Sequence, residues 1–221
     1  MAHRPSSTVY RPSTTAIRRE GAVLRDHLSL YLASLGAPVC EEYVTWGRQV
    51  LRVQSYVGDA QPPVEYVTSV RCVVLHGDQV LVVRDPDELH ILPGGRRERE
   101  EHFEQTAIRE VAEETGWLVG ALRLVGVKHF YHLSPKPARH PYPFPVFLQL
   151  VYTGSPLRYD AAVREANGWE LSAEFVAVTS ATISTLRMSD RHFLSAARRL
   201  LTTPAPVTRQ VPDATRRSFA L

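Results

Sequence analysis

The chain has 221 residues, 44% of them hydrophobic, and a formal net charge of +3, which suits one globular domain with an extension, or two small domains, and excludes a disordered or fibrous protein. A chain of this length buries a sizeable core without staples, and its two cysteines, Cys40 and Cys72, are too few and too isolated for a disulfide framework or a Cys-rich zinc site. No apolar signal region opens the sequence and no window approaches a membrane span, so a cytoplasmic protein without membrane contact is expected.

Residues 1–14 are rich in Pro, Ser, Thr and Arg and read as disordered. From Thr15 to Leu35, Ile17, Gly21, Leu24, Leu28, Tyr31 and Leu35 recur at alternating four- and three-residue steps. That spacing predicts an amphipathic helix with one narrow seam, ended by Gly36 and Pro38. Such a seam packs against the following domain or against a second copy in a homodimer, or serves as a separate partner-binding module. β-Branched and aromatic residues between Glu41 and Val57 predict two strands with Gly47 near their turn, and Pro62-Pro63 marks a boundary. The helix and strands of residues 15–65 thus form an extension ahead of a domain expected over residues 66–202.

That domain opens with TSVRCVVLHGDQVLVVRD, a predicted hairpin around His76-Gly77-Asp78. Further strands are expected over Leu122–Tyr131, Val146–Thr153 and Glu174–Val178, with a proline-rich loop at Ser134–Pro145 and a closing helix from Ser189 to Leu201. Residues 203–221 read as a flexible tail. Arginine supplies nearly all the basic charge, the only lysines being Lys128 and Lys136. These arginines are scattered among acids and form no basic track, which argues against a nucleic-acid partner.

Chemistry concentrates in GGRREREEHFEQTAIREVAEETGW, from Gly94 to Trp117. His102 to Thr115 has helix-forming composition with Gly116 placed as a C-cap, and Phe103, Ala107, Ile108 and Val111 supply a core face. Glu110, Glu113 and Glu114 stand at i, i+3 and i+4, and at about 3.6 residues per turn they share an arc of roughly 100°. Three converging anions cost stability unless a cation offsets them. A hard divalent cation such as Mg2+ takes oxygen ligands and bridges substrate phosphates. The other reading is a solvated helix face whose glutamates pair with Arg109 and with arginines elsewhere.

Gly95, Glu101, Arg109-Glu110-Val111, Glu113-Glu114, Gly116 and Trp117 agree at all nine defined positions with G-x5-E-x7-R-E-U-x-E-E-x-G-U, where U is bulky and apolar. The segment from about residue 66 to 202 therefore resembles the Nudix family. The resemblance implies an α+β fold, an α/β/α sandwich with a mixed sheet, and hydrolysis of a nucleoside diphosphate linked to a moiety X with Mg2+ or Mn2+. It implies metal ligation by Glu110, Glu113 and Glu114, with one of them orienting or deprotonating the attacking water, and a supporting ion pair between Arg109 and Glu101. A backbone carbonyl near Gly94 or Gly95 often joins the metal shell in this family.

Independently of the resemblance, Gly94 and Gly95 let the backbone approach metal and phosphate, and Arg96, Arg97 and Arg99 offer charge-assisted contacts to phosphate oxygens. In several members of the family the base, or an extra metal ligand, lies on a later loop, so the resemblance makes Glu165, Glu170 and Glu174 candidates, and Glu174 is named because it directly precedes the predicted strand. His129, His132 and His140 lie in the segment expected to decide the substrate. The stretch Pro141-Tyr142-Pro143-Phe144-Pro145 resembles part of the array of NADH-hydrolysing Nudix enzymes, but Arg139 and His140 replace its Ser-Gln, Phe147 replaces its final serine, and no four-cysteine module is present. It reads as a stiff loop bringing Tyr142 or Phe144 near a substrate base.

ADP-ribose-like compounds, nucleotide sugars and nucleoside triphosphates are the expected substrates, NADH and RNA caps the lesser ones. A non-catalytic nucleotide sensor on the same fold is the alternative, although such domains commonly lose box glutamates and none is lost here. No G-x-S-x-G, Walker, G-x-G-x-x-G or H-E-x-x-H motif competes with this site.

Overall fold

The structure, a computed structural model, describes residues 26–138, 140, 142–166 and 168–202. The expectations for residues 1–14 and 203–221, and for Ile17, Gly21 and Leu24 of the seam, lie outside the described residues. Helix α1 covers residues 26–34. It is followed by β1 (Cys40–Trp46), β2 (Gln49–Val57), β3 (Val67–His76), β4 (Gln79–Arg84), β5 (Leu89–His90) and β6 (Gly94–Arg96). Then come α2 (Phe103–Thr115), β7 (Trp117–His132), β8 (Val146–Tyr159), β9 (Ser172–Ala177), α3 (Ala181–Thr185) and α4 (Met188–Thr202).

The strands form one mixed sheet in the order β1-β2-β7-β8-β3-β4-β5, with β6 on β3 and β9 on β4. Among the described residues only β3 and β8 run parallel, from Val67↔Leu148 to Val74↔Gly154. Because side chains alternate across a strand, β3 serves two cores. Val70, Cys72 and Val74 face α2, where they meet Ala107, Val111, Leu148 and Leu150 together with Leu28 and Tyr31 of α1. Val73 and Leu75 face α4 and meet Val151, Phe193 and Ala197. Helices on both faces of a mixed sheet make the expected α/β/α sandwich.

Hairpin β1–β2 continues this sheet, since β2 pairs with β7 from Leu51↔His132 to Val57↔Gly126. Leu51 and Val53 are buried with Phe130 and Phe147. The N-terminal extension therefore shares a sheet face with the residues that follow the box, which sequence proximity does not reveal.

Two strands run longer than the expected Leu122–Tyr131 and Val146–Thr153. Register shifts between Leu118/Val119, Gly120/Arg123 and Leu124/Gly126, with Ala121 at φ 52°, interrupt the alternation by which a strand is recognised. Strand β9 starts at Ser172, ahead of the expected Glu174, because its ladder with β4 runs from Arg84↔Ser172 to Gln79↔Ala177. Helix α3 was not expected: its Thr182, Ile183 and Thr185 favour strands, and Ser180 Oγ caps it by accepting from Thr182 N at 3.3 Å. Among the described residues, no helix is long and apolar enough to cross a membrane.

Candidate active site

Helix α2 places the glutamates. Gln105 Oε1 accepts from His102 N at 2.8 Å at its start, and Gly116, at φ 78°, ends it with an N–H to Ala112 O. Glu113 and Glu114 thus sit in the last turn, where the helix dipole disfavours anions, and that turn holds no basic residue. Their position costs stability, so it calls for a functional reason.

Arg109 organises this face. Its Nε donates to Glu101 Oε1 at 2.7 Å and its Nη2 to Glu101 Oε2 at 3.1 Å, a two-pronged pair. Nη1 donates to Glu110 Oε1 at 3.0 Å and to Glu113 Oε2 at 2.9 Å, while Nη2 also reaches Arg96 O at 3.0 Å. Thr106 Oγ1 donates to Glu101 Oε2 at 2.8 Å. These bonds to Arg109, with those from Glu98 N and Thr106, hold the Glu101 carboxyl down at about 2 against burial. The same carboxylate pushes the Arg109 guanidinium upward.

Glu114 turns away from Arg109. Its Oε2 accepts from Gly94 N at 2.8 Å, and its Oε1 lies 3.9 Å from Arg71 Nη1, with 15% of the side chain exposed. Burial pushes its carboxyl up to about 8, with Arg71 and the Gly94 N–H opposing and the charges of Glu170 and Glu110 adding to the rise. Burial also raises Glu110, against the pull of Arg109. Glu113 is the most open of the three, at 42% side-chain exposure against 14% for Glu110.

Gly94 is required by space, while Gly95 abuts the end of a side chain. A Cβ on Gly95 would lie 2.3 Å from Glu110 Oε2. One on Gly94, at φ +141°, would lie 2.3 Å from Val70 O and 2.8 Å from Arg71 Cα, atoms that move only if β3 moves. Gly94→Ala is therefore expected to cost about 2–3 kcal/mol, read as a lower urea midpoint.

Among the described residues, no group of three or more His, Cys, Asp or Glu is gathered as a ready metal cage; Arg109 draws Glu110 and Glu113 together, and Glu114 faces Gly94. The donors nevertheless suit a hard cation. All are carboxylate oxygens, two of the three carboxyls are raised by burial, and Glu114 Oε1 lies 3.9 Å from the Arg71 guanidinium.

The other expected residues fall in different places. Arg96 lies with its guanidinium 5.0 Å from the Tyr142 ring centre. Arg97 is turned inward, donating from Nε to Glu101 O at 2.8 Å and lying 5.1 Å from the Phe103 ring centre. A cleft of about 610 Å³ is lined by Gly95, Arg96 and Tyr142, and also by Arg71, Trp46 and Phe147. Phe144 is not among its lining residues; its ring packs on His132 and His140, which are. His129 lies on the opposite face of β7, buried, and burial lowers it to about 4.

Of the later acids, Glu170 has the charge that reaches Glu114. Glu174 is exposed in β9, opposite Val82, and Glu165 N donates to Glu113 O at 2.8 Å. Arg71 was not anticipated, although an arginine inside the apolar run VRCVVL was a signal. Trp46 and Gln49 carried none, because their place depends on the distant pairing of β2 with β7.

A family model described as "NUDIX domain" matches residues 65–197. The fold is similar to that of the Bacillus subtilis pyrophosphohydrolase BsRppH, at 17% identity and TM-score 0.51 over 73% of this chain and 96% of that one. A NUDIX hydrolase from Nitrosomonas europaea is 20% identical with TM-score 0.47, over 60% of this chain and 89% of that one. The NUDIX domain of Shewanella oneidensis NrtR, solved with ADP ribose, is 17% identical with TM-score 0.44, over 61% and 88%. No curated protein matches this chain significantly.

Proposed function

Because this chain belongs to the Nudix family of pyrophosphate-bond hydrolases, we propose that it cleaves, with Mg2+ or Mn2+, the diphosphate linkage of a nucleoside diphosphate joined to a further group X. X makes the substrate ADP-ribose-like, a nucleotide sugar or a nucleoside triphosphate. The observation that carries this reading is the division of labour on α2: Arg109 is clamped by Glu101, Glu114 and Glu110 lie against the Gly94-Gly95 backbone, and half-open Glu113 is held by Arg109.

Glu110, Glu113 and Glu114 are the residues that would hold the cation. When bound, it lowers the pKa of a water and neutralises phosphate charge. Water adds to one phosphorus, the bridging P–O bond breaks, and two phosphate-bearing products leave. Glu113, the most open carboxylate, takes the proton of the attacking water. Glu101 keeps Arg109 in place, so that Glu110 and Glu113 stay on one side of the helix. Arg71 and Arg96, which line the cleft beside Gly95, bind phosphate oxygens. Glu170 joins this group as the acid nearest in effect to Glu114.

A phosphate-release screen tests the reading, using Mg2+ and Mn2+ over nucleoside triphosphates, ADP-ribose, NADH, diadenosine polyphosphates and nucleotide sugars, with a phosphatase to expose monoester products. One strong hit abolished by EDTA is expected and names X. Nucleotide binding without hydrolysis of any member would replace the hydrolase with a sensor.

A further inference from the structure

The cleft lined by Gly95 and Arg71 is also lined by side chains that this chemistry does not use. That part of the wall is built from two distant parts of the chain. Hairpin β1–β2, which precedes the family match at residues 65–197, contributes Trp46 and Gln49. Strands β7 and β8 and the proline-rich loop contribute His132, Phe147, His140 and Tyr142.

Trp46 is half exposed, at 51%. Its ring is fixed from beneath, with centroid distances of 5.3 Å to Phe130 and 6.1 Å to Phe147, and those two rings are themselves stacked at 4.6 Å. An indole that is held rigidly yet left open is a flat surface for another flat ring. Tyr142 is less free, since Arg96 already lies over it.

Three polar side chains around this surface hold buried atoms without partners. His132 is 6% exposed, and neither of its ring nitrogens has a hydrogen-bond partner. Gln49 Oε1 and His140 Nε2 are also buried without partners. A buried polar atom left unpaired costs about 1–3 kcal/mol, so three such side chains around one cleft point to a ligand that carries both donors and acceptors. Desolvation and the nearby His140 lower the His132 pKa, which keeps its ring neutral, with one nitrogen donating and the other accepting.

We infer that this part of the cleft wall is the subsite for the substrate's nucleobase, with Trp46 as the stacking platform and His132 and Gln49 reading the edge of the base. This deepens the hydrolase reading and rests on it for the diphosphate at Arg71 and Gly95. The N-terminal hairpin is then part of substrate selection in this chain.

The test uses the full chain without metal, titrated calorimetrically with ADP and with inorganic pyrophosphate, which has no base. Loss of one stacking contact weakens base binding by about 5–150-fold. Trp46→Leu keeps apolar contact with Phe130 and Phe147 but offers no aromatic face. It is expected to weaken ADP at least about tenfold with pyrophosphate affinity unchanged, and Trp46→Phe to restore most of the loss. In turnover with ADP-ribose, Trp46→Leu raises KM and leaves kcat nearly unchanged.

Unchanged ADP affinity in Trp46→Leu overturns the subsite, as does an equal loss for ADP and pyrophosphate. So does a dimer that dissociates on Trp46→Leu while ADP affinity holds, because Trp46 would then belong to a subunit contact. Mg2+-dependent hydrolysis by the wild-type chain separates these failures from failure of the hydrolase itself.

Discussion

Glu113→Gln and Glu114→Gln are each expected to lower turnover by about two to four orders of magnitude, the range for loss of a catalytic proton acceptor or of charge at a diphosphate, with the fold intact. The two variants differ in their stability signature. Glu113 is 42% exposed and bonded to Arg109 at 2.9 Å, so its replacement costs little. Glu114 is a carboxyl that burial raises to about 8 from an ordinary 4.5. Such a group is neutral in the folded chain but ionised in the unfolded one between those two values. It therefore destabilises the metal-free fold progressively as pH rises from 4.5 to 8. Glutamine preserves the acceptor for Gly94 N and removes this penalty. Metal-free Glu114→Gln should match wild type near pH 4.5 and exceed it near pH 8 by about 1 kcal/mol or more. Urea midpoints at the two pH values check this. A variant that loses stability at pH 8 would mean that Glu114 is held as a structural anion.

Arg109→Ala carries the largest expected stability loss on this face. It leaves Glu101 without its two-pronged partner and places Glu110 and Glu113 beside each other unneutralised. Breaking a fully buried pair costs about 3–5 kcal/mol. With Arg109 25% exposed, water screens part of that and about 2–3 kcal/mol is expected. The pH dependence follows from Glu101, whose folded value of about 2 lies below its ordinary 4.5. Its contribution is fully present above 4.5 and is lost as pH falls from 4.5 towards 2. Wild type should weaken through that window, and Arg109→Ala should be flatter there. Parallel curves for the two proteins would show that the pair does not hold the helix face. Turnover in Arg109→Ala should also fall, because Glu110 and Glu113 lose the donor that orients them.

The sequence displays the box and conceals much of what surrounds it. Helix α2 and its Gly116 cap are local features, governed by residues a few places apart. The Nudix fold was legible through them. How the carboxylates divide was not, because it depends on Arg109 reaching three of them while Glu114 finds Gly94 N twenty positions away in the chain. Arg97 was expected to offer a phosphate contact beside Arg96; its bond to Glu101 O and its place beside the Phe103 ring are contacts that its own neighbours in sequence do not display. The greatest concealment concerns residues 40–57. Their strand character was readable from alternation, but register Leu51↔His132 is a long-range pairing, and it alone brings Trp46 and Gln49 to the cleft shared with Arg71.

The measurement that bears most directly on the glutamate face is the initial rate of ADP-ribose or the best diphosphate substrate against Mg2+ concentration, for wild type, Glu113→Gln and Glu114→Gln. A saturable Mg2+ dependence in wild type, abolished by EDTA, with both variants reduced by about a hundredfold or more, is the predicted result. Full Mg2+-dependent activity in both variants would contradict a catalytic role for this face.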